Sequence, residues 1–307
     1  MEINTVTWDD AHSALRLIRQ TVFIEEQQVP EELEWDVDDK IATHFLGKEG
    51  NRPVACARLL KDGTLGRLAV LKEYRRHGWG SRIIRAAEQH LLDINKNKLS
   101  LNSQANSYYF YLYNGYHPTE EMSWDANIPH IQMQKLLNRP NPASKNYLLG
   151  EDEQTHHSSQ PAASSVWFQI ASNQCRRAIN IQISDLAHPL FNNAACISNL
   201  ARFIRESRQT QIRVLINEEI PGLSAHPLFQ LQHRMSSRFK IRLLHVTNDK
   251  ETQSNQILFD LSGYLRFGYT TSSCNFSNRI SVRRYQENFE KNWVSSKEVI
   301  EGRKLNI

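Results

Sequence analysis

The segment LKEYRRHGWGSRIIRAAEQHLL follows a β-like run, Leu65–Val70, and passes through two glycines into a helix with apolar Ile83, Ile84, Ala87 and Leu91. A strand, a basic glycine-containing turn and a helix N-terminus make a ready anion site. The first-turn N–H groups have no partner inside the helix, and the helix dipole puts partial positive charge there. Gly78 and Gly80 let the backbone approach a ligand closely, and Arg75, Arg76 and Arg82 add charge, so the expected ligand is a phosphate or diphosphate. No Walker Lys-Ser/Thr follows the glycines and no G-x-G-x-x-G is present, which excludes nucleotide-hydrolase and dinucleotide-fold readings.

The chain around this turn alternates strand and helix. Thr7-Trp8-Asp9-Asp10 is a capping box that opens a helix with Ala11, Leu15, Ile18 and Val22 on one face. An acidic loop, Glu25–Asp39, holds eight carboxylates. Two β-like runs follow, Ile41–Leu46 and Val54–Leu60, and Asp62-Gly63 fits a hairpin turn into Leu65–Val70. With 307 residues the chain has the length of two domains. Residues 1–137 carry 16 Lys+Arg against 19 Asp+Glu, residues 138–164 carry 2 against 3, and residues 165–307 carry 19 against 11. The boundary stretch 138–164 is rich in Pro, Ser, Asn and Gln with almost no apolar periodicity, so it reads as a linker, its His156-His157 pair solvated. No internal repeat is read. Cys56, Cys175, Cys196 and Cys274 form no Cys-x-x-Cys spacing and read as buried thiols. No apolar run reaches the roughly 18–20 residues of a membrane span. MEINTVTWDD shows no basic segment followed by an apolar one, so a cytoplasmic protein is expected.

Arg75-Arg76-His77-Gly78-Trp79-Gly80 matches the R/Q-x-x-G-x-G/A signature of the GNAT acetyltransferases, placed after a strand and before a helix as that family requires. The strand Leu99-Ser100-Leu101 and the segment Phe110-Tyr111-Leu112-Tyr113-Asn114-Gly115-Tyr116 resemble the family's downstream half. VFIEEQQVPEELEWDVDD, then THFLG, and the late Ile128-Pro129-His130-Ile131-Gln132-Met133 resemble a bacterial subgroup with a Phe-x-x-Glu-Gln loop. The resemblance spans about residues 1–137. It implies a mixed sheet flanked by helices and direct transfer from acetyl-CoA, as co-substrate, to an amine, without a metal.

The resemblance also implies roles. The diphosphate would bind Arg75, Arg76, His77, Gly78, Trp79, Gly80 and Ser81, chiefly through the backbone, and the pantetheine arm would pair with Leu68, Ala69 and Val70 like an added strand. Tyr111 is the expected acid for the departing thiolate, with Tyr108, Tyr109 and Tyr113 as neighbours. The family's acidic residue on the strand before the turn is missing, since Thr64–Val70 holds no carboxylate. Base candidates are therefore Glu26, which also could orient substrate, His44, His130 or a water relay. The acidic loop would border the acceptor pocket and attract a cationic small molecule or peptide amine, with Trp35 as a cation–π wall and His44 and His130 as further substrate contacts.

Residues 165–307 mix strands (Ile179–Ile183, Ile212–Ile216, Ile241–Val246) with a helix at Asn193–Ser207, a second α/β layer. Their final third distantly resembles the phospholipase D superfamily. Where that family carries H-x-K-x4-D, this chain reads Gln256-Ile257-Leu258-Phe259-Asp260, and His245 does not supply the motif. The resemblance therefore implies a non-catalytic domain. Its net charge of +8 suits an anionic partner, nucleic acid among them, and Arg202, Arg205 and Arg208 are read as one basic helical face beside Arg283-Arg284. The expected whole is an acetyl-CoA-dependent N-acetyltransferase with a basic second domain. The rival is an acyl-CoA sensor whose second domain contacts an anionic partner. The sequence gives no oligomeric state.

Overall fold

The computed structural model describes residues 2–137, 145–184, 186–216, 225–244 and 255–298. They form two compact units, Met1–Glu121 with Ile131–Ser144 and Met122–His130 with Lys145–Ile307.

The first sheet starts with β1 (Glu2–Val6), from which Thr7 leads into α1 (Trp8–Arg19). The Thr7 hydroxyl accepts the Asp10 N–H at 3.2 Å and donates to the Asp10 carboxylate at 2.5 Å, so Thr7 caps the helix as expected. Leu15, Ile18 and Val22 are buried, the last in a π-helical continuation, Gln20–Glu26. The acidic loop is not all coil, because it holds α2 (Glu31–Glu34) and a 3₁₀ turn at Val37–Lys40. Next come β2 (Thr43–Glu49), β3 (Arg52–Leu59), β4 (Thr64–Val70), α3 (Trp79–Asp93), β5 (Lys98–Gln104), α4 (Tyr108–Tyr113), β6 (His117–Asp125) and β7 (Ile128–Leu136). The sheet order is β1-β2-β3-β4-β5-β7-β6. From β1 to β4 the neighbours are antiparallel, and β4 runs parallel to β5.

The second unit contains β8 (Thr155–Ser158), α5 (Ala163–Ser172), β9 (Ala178–Ile183), α6 (Pro189–Asn192), α7 (Ala194–Glu206), β10 (Gln211–Ile216), α8 (Pro227–Arg234), β11 (Phe239–Leu243), β12 (Gln256–Phe259), β13 (Gly263–Phe267), β14 (Ser272–Asn275), α9 (Arg279–Ser295) and β15 (Lys297–Glu298). Its sheet order is β15-β11-β10-β9-β12-β13-β14-β8, with β9, β10 and β11 parallel. Both sheets are thus mixed and carry helices.

Three expectations change. The linker reading for 138–164 gives way from Lys145 onward, residues 138–144 lying outside the described residues. Asp152 accepts the N–H groups of Tyr147 and Gln154 and pairs with His156 at 2.7 Å, β8 joins the sheet against β14, and every residue of α5 is buried. Polar composition suggested exposure, but these side chains have specific partners, and His156 is one of them. The helix expected over Asn193–Ser207 ends at Glu206, so Arg208 lies beyond it and Arg202, Arg205 and Arg208 do not share one helical face. A short repeat, Ala-His-Pro-Leu-Phe, stands at 187–191 and 225–229, after the adjacent parallel strands β9 and β10. In each copy the His Nδ1 accepts the N–H two residues on, at 3.2 Å, and caps a helix begun by Pro. The strand expected to reach Val246 is seen to Leu243, and His245 lies outside the described residues. The four cysteines are buried free thiols, and burial pushes Cys56 and Cys196 up to about 12. Among the described residues no helix is long and apolar enough to cross a membrane.

Candidate active site

The site begins with a register fault. β3 and β4 slip between Cys56 and Arg58, and Arg67 takes φ +52°, a bulge that bends β4. β5 pairs with β4 at Thr64–Ser100 and Leu65–Leu101, after which the strands part. A cleft of about 490 Å³ opens there, with Leu68, Ala69 and Val70 on one side, Ser107, Phe110 and Tyr111 on another, and the glycine turn beneath. The separation leaves one main-chain edge of β4 facing the cleft, as strand-like pairing with an extended arm requires.

The two glycines have different reasons to be glycine. Gly78 is the N-cap of α3 at φ +83°, with no side chain capping the helix and open space where a Cβ would stand. Its neighbour Arg76 is also left-handed, at φ +64°. The first-turn amides of α3 therefore face the cleft without a competing side-chain acceptor, and the cradle fits a diphosphate. At Gly80 a Cβ would stand 2.8 Å from the Phe110 ring, so this glycine lets α4 close over the turn. Trp79 is buried, its ring packed against Gly47, and anchors the turn from below. Arg75, Arg76, Gly78, Trp79, Gly80 and Ser81 line the cleft, whereas His77 is exposed and does not.

Arg75 is fully engaged. Its Nε donates to the Val70 carbonyl at 2.9 Å, and its two terminal nitrogens grip both Glu26 oxygens at 2.6 Å. That bond holds the Glu26 carboxyl below the usual carboxylate range. The pair ties the π-helical segment to the end of β4 and to the glycine turn. Gln27, next in the Phe-x-x-Glu-Gln loop, also lines the cleft, and its Oε1 accepts from Gln104 Nε2 at 2.8 Å. Sequence reasoning singled out Glu26 there and passed over Gln27, although the same motif carried both.

Of the neighbouring tyrosines, Tyr108 is buried, Tyr113 is 83% exposed, and Tyr111 lines the cleft. Burial raises the Tyr111 phenol above its ordinary value, so it stays protonated at neutral pH. His44 and His130 are buried away from the cleft lining. His44 Nε2 lies 2.8 Å from the Asp39 carbonyl with its ring against Trp8, and His130 Nδ1 lies 2.9 Å from the Ile128 carbonyl. Burial lowers both imidazoles, which favours the neutral rings.

The acidic loop supplies a buried ion network that the sequence did not reveal. Arg19, 1% exposed, donates to Glu34 at 2.5 Å and to Asp39 at 2.7 Å; Arg58 donates to Asp36 at 2.5 Å and Asp39 at 2.9 Å; Arg67 pairs with Glu34 at 3.1 Å. Three guanidinium groups balance three carboxylates, the condition under which buried charge is tolerated. Trp35 belongs to this cluster, with Arg16 and Arg19 over its ring at 4.3 and 4.8 Å, and it does not line the cleft. Glu34 and Asp39 are therefore buried structural acids, and Asp36, exposed but paired with Arg58 and Arg67, closes the network at its rim, while Glu25, Glu31 and Glu32 are exposed outside it.

A strand-edge cleft ending on an uncapped helix N-terminus, with a protonated tyrosine beside it, is the candidate site of an acyl-CoA-dependent transferase. Residues 9–137 match the family model described as an acetyltransferase (GNAT) domain, and the chain belongs to this family as a GNAT N-acetyltransferase. It is 38% identical over 122 residues to an uncharacterized N-acetyltransferase, YjcF, of Bacillus subtilis, covering 38% of this chain and 87% of the relative. It is 34% identical over 146 residues to the B. subtilis protein YyaT, covering 45% and 98%. Among solved structures, Escherichia coli ElaA aligns at 28% identity over 44% of this chain and 99% of its own, with a TM-score of 0.40. Residues 159–305 match a family described as a domain of unknown function.

Proposed function

We propose that the chain carries an acetyl group from acetyl-CoA directly to a primary amine. The observation that carries this reading is the joining of the open β4 edge to the uncapped start of α3. In this reading the amides around Gly78–Ser81 hold the diphosphate, and Leu68–Val70 pair with the pantetheine arm. Tyr111 protonates the departing thiolate. Glu26 is bound on both oxygens by Arg75, which suits it to positioning, so the amine's proton leaves through water near Gln27 and Gln104. Exposed Glu25, Glu31 and Glu32 favour a cationic small-molecule or peptide amine.

For the second unit we keep the reading of a non-catalytic, phospholipase D-like module. Two features support its being non-catalytic: the run 256–260 lacks the His and Lys that phosphodiester cleavage needs, and Asp260 is taken up by the N–H groups of Arg176, Arg177 and Ala178. The phospholipase D likeness rests on the sequence resemblance alone.

The test is thiol release from acetyl-CoA across polyamines, amino acids, aminoglycosides and peptides, with Tyr111→Phe and Gly78→Glu alongside. Turnover with at least one amine, lost in both variants, is the expected result. Turnover unchanged in Gly78→Glu would remove the diphosphate assignment.

A further inference from the structure

The cations of the second unit gather at one end of its sheet. Gln211 pairs with Ala178 and Ile212 with Phe239, so the residues just before β9, β10 and β11 lie side by side at the amino ends of three parallel strands. Backbone bonds fix this row, since the Arg177 carbonyl accepts the Gln211 N–H and the Arg238 carbonyl accepts the Ile212 N–H. Arg176, Arg177, Arg208, Arg238 and Lys240 stand along it. All but Arg238 are exposed, and Arg238 is tied to the Ser207 carbonyl and to Thr210. Since α7 and α8 end on this side, exposed Arg205 and Arg234 extend the row.

The acids at this end are already committed. Asp260 receives three backbone N–H groups at 2.9–3.0 Å, and Glu206 pairs with Arg202 at 2.7 Å. Among the described residues Arg176, Arg177, Arg208 and Lys240 form no ion pair. Helix dipoles account for arginines in the last turns of α7 and α8, but not for those at the strand ends.

We infer that this row binds the sugar–phosphate backbone of a nucleic acid. Neighbouring strands stand about 4.8 Å apart, so the cations form a line some 10 Å long rather than a disc. A line of charge fits a linear polyanion better than a planar lipid surface. Arginine forks also match phosphate oxygens two at a time. Because the contacts are to phosphate, the binding carries no base preference of its own. This inference stands apart from the acetyl-transfer reading.

The test is fluorescence anisotropy of the full chain with a 20-base-pair duplex and a 20-nucleotide single strand, from 50 to 200 mM NaCl. About five phosphate contacts predict a roughly 500-fold loss of duplex affinity over that range. The triple variant R177E/R208E/K240E should lower the log–log salt slope by about 3. R283E/R284E, which places two reversals on α9 outside the row of strand ends, should weaken binding far less than the triple variant. A thermal melt of each variant checks that it folds. Binding that neither variant weakens, or that both weaken alike, overturns the assignment to this row. So does the absence of binding to either nucleic acid at 50 mM salt, or a preference for vesicles containing 30% phosphatidylserine over both.

Discussion

Tyr111 and Gly78 carry the sharpest expectations at the scale of single residues. A positioned general acid typically contributes about 10²- to 10⁴-fold. Tyr111→Phe keeps the ring against Phe110 and Tyr116, at 5.0 and 6.0 Å between centroids, and removes only the proton. Its kcat should fall by about 10² or more with the KM for acetyl-CoA little changed. Because burial raises the phenol, the kcat profile should show no alkaline limb from this group below its ordinary value of about 10. A limb near pH 8 that Tyr111→Phe abolished would assign the acid a different environment. Gly78→Glu forces a side chain into φ +83° and puts a carboxylate where an anion should bind. The KM for acetyl-CoA, or its Kd by calorimetry, should rise at least tenfold.

At the scale of elements, the Glu26–Arg75 pair and the buried ion network act through what they join. If Glu26 and Arg75 work as one strut, Glu26→Gln and Arg75→Gln should impair the same parameter, and the double variant should be little worse than either single. If instead Glu26 takes the proton, Glu26→Gln alone should erase the acidic limb of kcat while Arg75→Gln raises that limb's pKa. For the network, burial pushes Asp39 up, but Arg19 and Arg58 together pull it below the usual carboxylate range. A carboxyl depressed in the folded state adds stability above its unfolded pKa of about 4, and that stability is lost as pH falls through the folded value. The melting temperature should therefore drop below about pH 4. Removing one partner of a buried pair costs about 3–5 kcal/mol, so Arg19→Met should destabilise strongly at pH 7, as read by urea midpoint.

The strand–turn–helix was legible in the sequence because its signals are local: glycines at fixed offsets, a basic turn and a 3.6-residue period. The ion network was not, since Arg19, Arg58 and Arg67 find Glu34, Asp36 and Asp39 only once α1, β3 and β4 meet. For the same reason the acids of that loop read as a steering surface. The bulge at Arg67 that opens the cleft lies beside Gly66, a strand-interior glycine of the kind that marks bulges, but one glycine in a β-like run does not say where the paired strand slips. The Ala-His-Pro-Leu-Phe repeat was visible in the letters, its copies starting at 187 and 225, a period of 38 residues, but two copies of five residues fall short of the three or more units that mark repeat folds.

For the whole molecule, the decisive quantity is the free energy that acetyl-CoA adds to the folded state. A ligand that binds only the native chain stabilises it by RT ln(1 + [L]/Kd), about 2.7 kcal/mol at a hundredfold excess over Kd. For a unit of roughly 140 residues each kcal/mol is worth about 3–5 °C in melting temperature, so acetyl-CoA should raise the transition by about 8–13 °C. The effect requires the α3 amides and the β4 edge together, because each alone holds only part of an extended ligand. Gly78→Glu should abolish the shift while the melt without ligand moves far less. R177E/R208E/K240E should retain the full shift, since the inferred nucleic-acid row includes none of the residues that line the cleft. Differential scanning calorimetry of the three proteins, with and without acetyl-CoA, checks both expectations. Loss of the shift in the second-unit variant would mean that acetyl-CoA binding depends on residues outside the GNAT match, and the cleft could no longer be treated as a self-sufficient cofactor site.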